Sequence, residues 1–337
     1  MPDPVVTLKA GGLSLTSFDA LTIQRDIDAF SDAFSFTCPS RQEIRDRIKP
    51  RDYTKAEVWM DKTKILTGRV EKPMGSIKSA TLNLQGRTLT GVMVDCNLGD
   101  PSIWSNLTLG YIGREKATLY GTTVSLPQGD SAKCGEVSAS PEDNLGDFLQ
   151  TLAHDMGWLW HSNADGQLEL IRPNPKAKPV ASLIEGEGAL QDVSTDVDGT
   201  KMWQDYHVTM DMGGWPGVEG RARDDGIPVH RFKQRSGGTG QPGQINQAAA
   251  WDRAHAIAEA VSISAVVSTW STDSGLIWEP GQIINLKAPT AYINKTTSLM
   301  IAGVTFTLSK DEGFTTTLRL VLPTLYSGTV PEVWPWD

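Results

Sequence analysis

Residues 55–95, KAEVWMDKTKILTGRVEKPMGSIKSATLNLQGRTLTGVMVD, alternate apolar and polar positions between short polar turns. Val58, Trp59 and Met60 run into the turn Asp61-Lys62-Thr63-Lys64, and Ile65, Leu66, Gly68 and Val70 lead back out. After a turn at Lys72-Pro73-Met74-Gly75, Ala80, Leu82 and Leu84 alternate with Thr81, Asn83 and Gln85. Period-two patterning of this kind predicts three half-buried antiparallel strands. The pattern returns near the C-terminus. Residues 280–286 stand where 56–60 stood, 299–304 parallel 65–70 with a glycine inside each strand, and 314–320 parallel 79–84. Upstream, Asp26-Ile27-Asp28 followed by residues 34–37 is echoed by Asp196-Val197-Asp198 followed by residues 206–209. Four echoes in one order predict two copies of a small antiparallel β-barrel.

The rest of the chain fits around these copies. Val6, Leu8, Leu13 and Leu15 alternate about Gly11-Gly12, which predicts a hairpin. Residues 21–23 and 34–36 are expected to pair and, with 55–95, to close a barrel of about six strands, which removes exposed edges. Residues 96–140 are rich in Gly, Ser and Thr and read as loops and short strands. A helix is predicted over 141–156: Ser140 is a good N-cap, Pro141 fits the first turn, and Glu142 and Asp143 face the positive end of the dipole. Leu145, Phe148, Leu149, Leu152 and Met156 follow at helical spacing, and Gly157 supplies the stop. A hairpin over 158–171 turns at Asn163-Ala164-Asp165-Gly166, and a linker at 172–179 ends this α+β insert. Residues 213–244, loaded with Gly, Pro and charge, read as an exposed loop. A second helix follows from about Ile245 to Ser262, with Ala250, Ala254, Ile257 and Val261 in its apolar stripe and Asp252, His255 and Glu259 facing outward. The expected division is a first barrel at 1–97, an α+β insert at 98–180, a second barrel at 181–212 and 278–327, a loop-and-helix insert at 213–277, and a tail at 328–337. The fold class is mainly β with α+β inserts: two antiparallel β-barrels related by internal duplication plus smaller α+β domains.

Composition narrows the function. A length of 337 residues, 39% hydrophobic and 21% charged, suits a globular chain of several domains. No run reaches the ~18 apolar residues of a membrane span, so no stable membrane insertion is expected. Met1-Pro2-Asp3-Pro4 lacks the features of a signal peptide. Cys38, Cys96 and Cys134 are odd in number and far apart, which suggests neither a disulfide framework nor a zinc pair and fits synthesis in a reducing cytoplasm. A net charge of −9 argues against a protein that grips nucleic acid. The one dense basic run, residues 41–51, is interspersed with acids and reads as a solvated loop.

Reactive constellations are lacking. His154, His161, His207, His230 and His255 show no metal-binding spacing and read as structural or solvated. Residues 194–199 with Asp205 only superficially resemble a calcium loop and read as strand and turn. Residues 236–240 lack the setting of a phosphate cradle, and no Gly-x-Ser-x-Gly elbow is present. Acidic pairs such as Asp224-Asp225 and Glu142-Asp143 read as loop and cap. No catalytic, cofactor-binding or metal residue is therefore assigned, no cofactor is expected, and the chain reads as no enzyme. Among 11 tryptophans, Trp59, Trp203, Trp270 and Trp278 read as core or subunit-interface residues. Trp334 and Trp336, on a Pro-punctuated tail, are either a frayed end or an anchor for a neighbour's pocket.

The order of these features resembles the baseplate hub proteins of Mu-like contractile-tailed bacteriophages, relatives of the late-control-D proteins and of the type VI secretion spike base. The matching pieces are the opening strands, the hairpin V-x-M-D-x-x-x-I-L-T-G-R-V, residues 88–96 (TLTGVMVDC), the helix over 145–157, the hairpin over 158–172 and the late Pro-Gly-Gln-Ile strand. The resemblance implies two tube-like barrels per chain. It implies a homotrimeric, pseudo-sixfold ring joining a sixfold tail tube to a threefold central spike around the DNA channel. Implied partners are the chain itself, the tail tube or a tube initiator, the spike, and the tape-measure and wedge proteins, with no specific nucleic-acid binding. The implied location is the virion tail baseplate, assembled in the host cytoplasm. Two alternatives stand beside it: a carbohydrate- or receptor-binding tail module, which the tryptophans allow, and a tail-associated peptidoglycan hydrolase.

Overall fold

The computed structural model describes residues 4–99, 102–210, 217–236, 245–309, 313–323 and 326. Strands β1 (Val6–Ala10) and β2 (Leu13–Leu15) form the expected hairpin, with Gly11 and Gly12 at φ 58° and 77°, where a side chain would strain the turn. β3 (Ala20–Asp26) pairs antiparallel with β4 (Ala33–Pro39), Leu21 facing Phe36 and Ile23 facing Phe34, as the alternation predicts. Helix α1 (Gln42–Arg47) lies in the basic run read as a loop: Ile44 and Ile48 are buried while the charges between them stay exposed. Next come β5 (Lys55–Met60), β6 (Thr63–Ser76) and β7 (Thr81–Thr88). The Lys72–Gly75 segment read as a turn belongs to β6. A register shift between Val70 and Lys72 absorbs the bend, and past Arg69 the strand pairs only with β7. The strand order is β3-β4-β7-β6-β5-β1-β2.

Helix α2 (Gly91–Val94) leads into a compact insert. It holds β8 (Ser102–Ser105), α3 (Leu109–Leu119), β9 (Val124–Ser125), β10 (Glu136–Ala139), α4 (Leu145–Asp155), β11 (Leu159–Ser162) and β12 (Leu168–Ile171). Helix α3 was not expected in this Gly-rich segment. Its glycines answer close approaches rather than loop conformation: a Cβ on Gly113 would lie 2.5 Å from the buried Trp160 ring, and one on Gly110 would lie 2.7 Å from the Asp130 carboxylate. Thr108 caps the helix by accepting from the Tyr111 N–H. Helix α4 begins a turn later than the Ser140 cap predicts, because Asn144 accepts from the Asp147 N–H instead. Its end at Gly157, φ 72°, and the hairpin β11–β12 are as predicted.

The remaining elements are β13 (Pro179–Ile184), β14 (Leu190–Val197), β15 (Asp205–Met210), β16 (Val218–Arg223), β17 (Phe232–Ser236), α5 (Ile245–Ala260), β18 (Val261–Val267), β19 (Ile283–Ala288), β20 (Ile293–Ser309) and β21 (Gly313–Val321). β19, β20 and β21 are the three late strands expected from the first echoes. The fourth echo fails. Residues 206–209 lie in β15, the centre of a separate sheet β16-β15-β17, and the strand beside β21 is β18. Residues 213–244, read as an exposed loop, contribute β16 and β17; positions 211–216 and 237–244 lie outside the described residues, as do Trp334 and Trp336. Helix α5 stops at Ala260, and Val261, assigned to its apolar stripe, opens β18.

The large sheet runs β14-β18-β21-β20-β3-β4-β7-β6-β5-β1-β2, with β19 also on β20 and β13 on β19. Antiparallel pairing of β20 with β3, Gly303 facing Asp26 through Leu308 facing Leu21, joins the two strand sets into one curled sheet. Its inner face buries one contiguous cluster that includes Leu8, Ile23, Phe36, Val58, Ile263, Ile284, Phe306 and Leu320. A second cluster, with Trp104, Leu149 and Trp160, forms the insert's own core. Trp270 and Trp278 are core residues, with indole N–H groups donating to the carbonyls of Thr315 and Thr269. Trp59 and Trp203 are half-buried, with Lys9 and Lys233 ammonium groups 4.0 and 4.2 Å from their ring centres. Residues 194–198 end β14 and cap a 3₁₀ turn, the strand and turn expected there.

Candidate functional site: a polar junction between five segments

Alternation along β3 puts Leu21, Ile23 and Arg25 on the buried face. Arg25 is therefore carried inward, 8% exposed, against Asp32, 3% exposed. Its Nε donates to Asp32 Oδ2 at 3.3 Å and its Nη1 to Glu279 Oε1 at 3.4 Å. Asp32 also accepts from the Asp26 N–H at 3.2 Å. Burial pushes the Asp32 carboxyl above the ordinary carboxylate range, and the Arg25 charge opposes that shift.

Where β3 ends, Asp26, Ile27 and Asp28 point in different directions. Asp26 accepts three charge-assisted hydrogen bonds from Arg319 of β21, one from Nε at 3.0 Å and two from Nη2 at 2.7 Å; burial raises its pKa against that pull. Ile27 enters a small core with Leu159, Trp251, Ile283, Met300 and Tyr326, and its N–H donates to the Ala302 carbonyl at 2.8 Å. Asp28 meets two helices. His154 Nε2 of α4 lies 2.9 Å from Asp28 Oδ1, and His255 Nε2 of α5 lies 3.0 Å from Oδ2. Burial disfavours the charged Asp28, yet the hydrogen bonds from both imidazoles outweigh it and hold the carboxyl well below its usual range. For His255, burial disfavours the cation, but the bond to Asp28 raises the pKa. Beside this cluster, Arg235 of β17 bridges Asp155 of α4 at 2.7 Å and Asp252 of α5 at 2.6 Å. Asp252 and His255 are thus half-buried in ion pairs rather than facing outward. The junction links β3, α4, α5, β17 and β21.

Of the five histidines, His161 faces Glu169 at 3.2 Å, His207 pairs with Glu219, and His230 lies 3.9 Å from Asp205. No local motif could have revealed that His154 and His255 share a carboxylate, because they stand 126 and 227 residues from Asp28.

The His161–Glu169 pair gives a pH prediction. The hydrogen bond from His161, opposed by burial and helped by Ser125 and Asn163, lowers the Glu169 pKa to about 2. A carboxyl whose folded pKa is depressed stabilises the fold above its unfolded value of about 4.3 and loses that contribution as pH falls toward the folded value. Thermal melts should therefore show stability falling between about pH 4.3 and pH 2, and Glu169→Gln should flatten that window. An unchanged profile would remove the pair as a cause of acid sensitivity.

No family model matches the chain. Baseplate hub protein gp44 of Escherichia phage Mu is 22% identical over 342 residues, covering 94% of this chain and 87% of that protein. The crystal structure of a tail protein from Neisseria meningitidis MC58 matches with TM-score 0.85 at 18% identity, over 97% of this chain and 98% of that one. The 43 kDa tail protein of prophage MuSo2 from Shewanella oneidensis matches with TM-score 0.80 at 20% identity, over 96% of this chain and 99% of that one. Over nearly its whole length, then, the chain is similar to the baseplate hub protein of phage Mu and shares the fold of phage-type tail proteins, as the order of its strands and hairpins implied.

Proposed function

We propose that the chain is a structural hub subunit of a phage tail baseplate, three copies of which form a ring between the sixfold tail tube and the threefold central spike. The observation that carries the ring is a repeated ladder. The order β3-β4-β7-β6-β5-β1 is matched by β14-β18-β21-β20-β19-β13. The match extends to register. Phe34 facing Gly86 corresponds to Ile263 facing Leu320, and Val58 facing Leu66 to Leu286 facing Thr297. The ladders also shift register at the same place, between Val70 and Lys72 in β6 and between Ile301 and Gly303 in β20. The pairing of 65–70 with 299–304, which sets Gly68 against Ala302, is therefore out of register; Lys72 and Gly303 are the counterparts. One difference remains: β1 runs antiparallel to β5, whereas β13 runs parallel to β19. This supports duplication of a tube-like barrel, so that one chain presents two equivalent units.

The repeat also suggests how a ring would close. The two units of one chain join where β3 pairs with the far half of β20. The equivalent half of β6, beyond Arg69, pairs with β7 on one side only, and its other edge, like the outer edge of β14, the counterpart of β3, has no strand partner among the described residues. Exposed apolar side chains mark both edges: Met74 and Ile77, 36% and 102% exposed, on or just after β6, and Val197, 45% exposed, on β14. Long open edges with apolar residues invite pairing with another chain. Transferring the β20–β3 register puts Lys72 of one copy opposite Asp198 of the next, a charge-complementary head-to-tail contact that forms rings when its rotation closes. Lys72→Asp and Asp198→Lys should each reduce the assembly to monomers by light scattering, and the double reversal should restore it. Assembly indifferent to both reversals would overturn this interface. The partners that fit such a hub are tube and spike on opposite faces, with tape-measure and wedge proteins nearby, in the virion baseplate; the role requires no catalysis.

A further inference from the structure

We infer that Asp28, His154 and His255 form a binding site for one divalent transition-metal ion of the zinc, cobalt or nickel class, which pins the end of β3 to helices α4 and α5. The three residues each offer a ligand atom, and these atoms lie within 4.8 Å of one another. The separations of 2.9 and 3.0 Å between each Nε2 and its carboxylate oxygen are hydrogen-bond distances that also fit octahedral corners about 90° apart with bonds of about 2.0–2.2 Å; a tetrahedral shell needs them to open to about 3.3 Å or more. Two imidazoles and a carboxylate are a donor set that suits these metals, whereas calcium and magnesium prefer all-oxygen ligation.

The surroundings orient the donors. His255 Nδ1, on the far side of the ring, lies 3.6 Å from Oε1 of the exposed Glu259, just outside hydrogen-bond range, so a small side-chain adjustment would complete the carboxylate–histidine arrangement that fixes a ligating imidazole. Gln150 Nε2 lies 3.1 Å from Asp28 Oδ1 and 3.3 Å from the Asp28 carbonyl, which holds the carboxylate in place. The side chains of Asp28, His154 and His255 are 19%, 18% and 28% exposed, so an ion can reach them without unfolding. Two openings flank the cluster, of about 240 Å³ beside His154 and His255 and about 300 Å³ beside Asp28 and His255, leaving room for water as a further ligand. The site does not depend on the hub reading.

The test uses the purified full chain, stripped with chelator, then titrated with cobalt(II) followed by visible absorption and with zinc in competition with a chromophoric chelator. One equivalent per chain is expected, with zinc displacing cobalt. His154→Ala and His255→Ala should each weaken zinc binding by at least about a hundredfold, and Glu259→Gln by about tenfold to a hundredfold, the usual range for an outer-shell partner. His161→Ala should leave binding unchanged. Circular dichroism checks that the variants fold. Should they fail to, zinc must still protect His154 and His255 of the unaltered chain from diethyl pyrocarbonate, read by mass spectrometry. The proposal is overturned if zinc does not saturate a site at millimolar concentration, if binding survives the double histidine variant, or if zinc gives no protection.

Discussion

Arg25→Ala is expected to remove about 3–5 kcal/mol of folding stability, because it strands the buried Asp32 carboxylate without its counter-charge. Both side chains are almost fully inside the protein, 8% and 3% exposed. Among the described residues, the Asp32 carboxylate keeps only the Asp26 N–H as a donor once the guanidinium is gone, and burial already pushes its pKa upward. Neutralising both partners should behave differently. Arg25→Met combined with Asp32→Leu removes the uncompensated charge, so it should recover much of the loss. Urea unfolding of the two single variants and the double variant measures the coupling. A loss below about 1 kcal/mol in Arg25→Ala would place this pair with exposed salt bridges and remove it as a pillar of the junction.

Gly68→Ala should be the most damaging addition of a single methyl group. A Cβ at Gly68 would stand 1.9 Å from the Arg87 carbonyl oxygen and 3.0 Å from the Thr88 Cα. Across the same crossing, a Cβ at Gly86 would stand 2.0 Å from the Arg69 carbonyl oxygen. The obstructing atoms are backbone, so no side-chain rotation can relieve them. The strands β6 and β7 would have to separate where β6 passes from β5 to β7. The expected cost is at or above the upper end of the usual overpacking range, about 3 kcal/mol. Gly303→Ala provides the contrast. Its Cβ would meet the Asp26 carboxylate at 2.7 Å, the end of a movable side chain. It should therefore cost less and act by displacing the Asp26–Arg319 pair. Equal losses in the two variants, by thermal and chemical denaturation, would contradict this account of the β6–β7 crossing.

Local pattern carried the pieces whose partners are close in sequence. The hairpins β1–β2, β3–β4, β5–β6 and β11–β12 were legible because alternation and turn residues act over a few positions. Helices α4 and α5 were legible from apolar spacing, although α4 begins at an Asn144 cap that competes with Ser140. Helix α3 was hidden by glycines that serve packing against Asp130 and Trp160. The strands β16 and β17 lie in a stretch whose Gly, Pro and charge content resembles a loop, and their partner β15 was assigned to the wrong sheet. The three late strands of the second ladder were identified correctly; their register was not, since short alternating strands look alike when slid along one another and only the bulge positions fix the match. The junction was invisible for a different reason. Asp26 and Arg319 are 293 residues apart, and Arg25 and Glu279 are 254 apart. Only the fold supplies such pairs.

The most direct test of the hub reading is the native mass of the purified protein by light scattering, alone and mixed with spike protein, followed by negative-stain images. The account predicts three chains in a ring with a central hole, either spontaneously or once the spike is added. A monomer at every concentration that binds neither tube nor spike would contradict it.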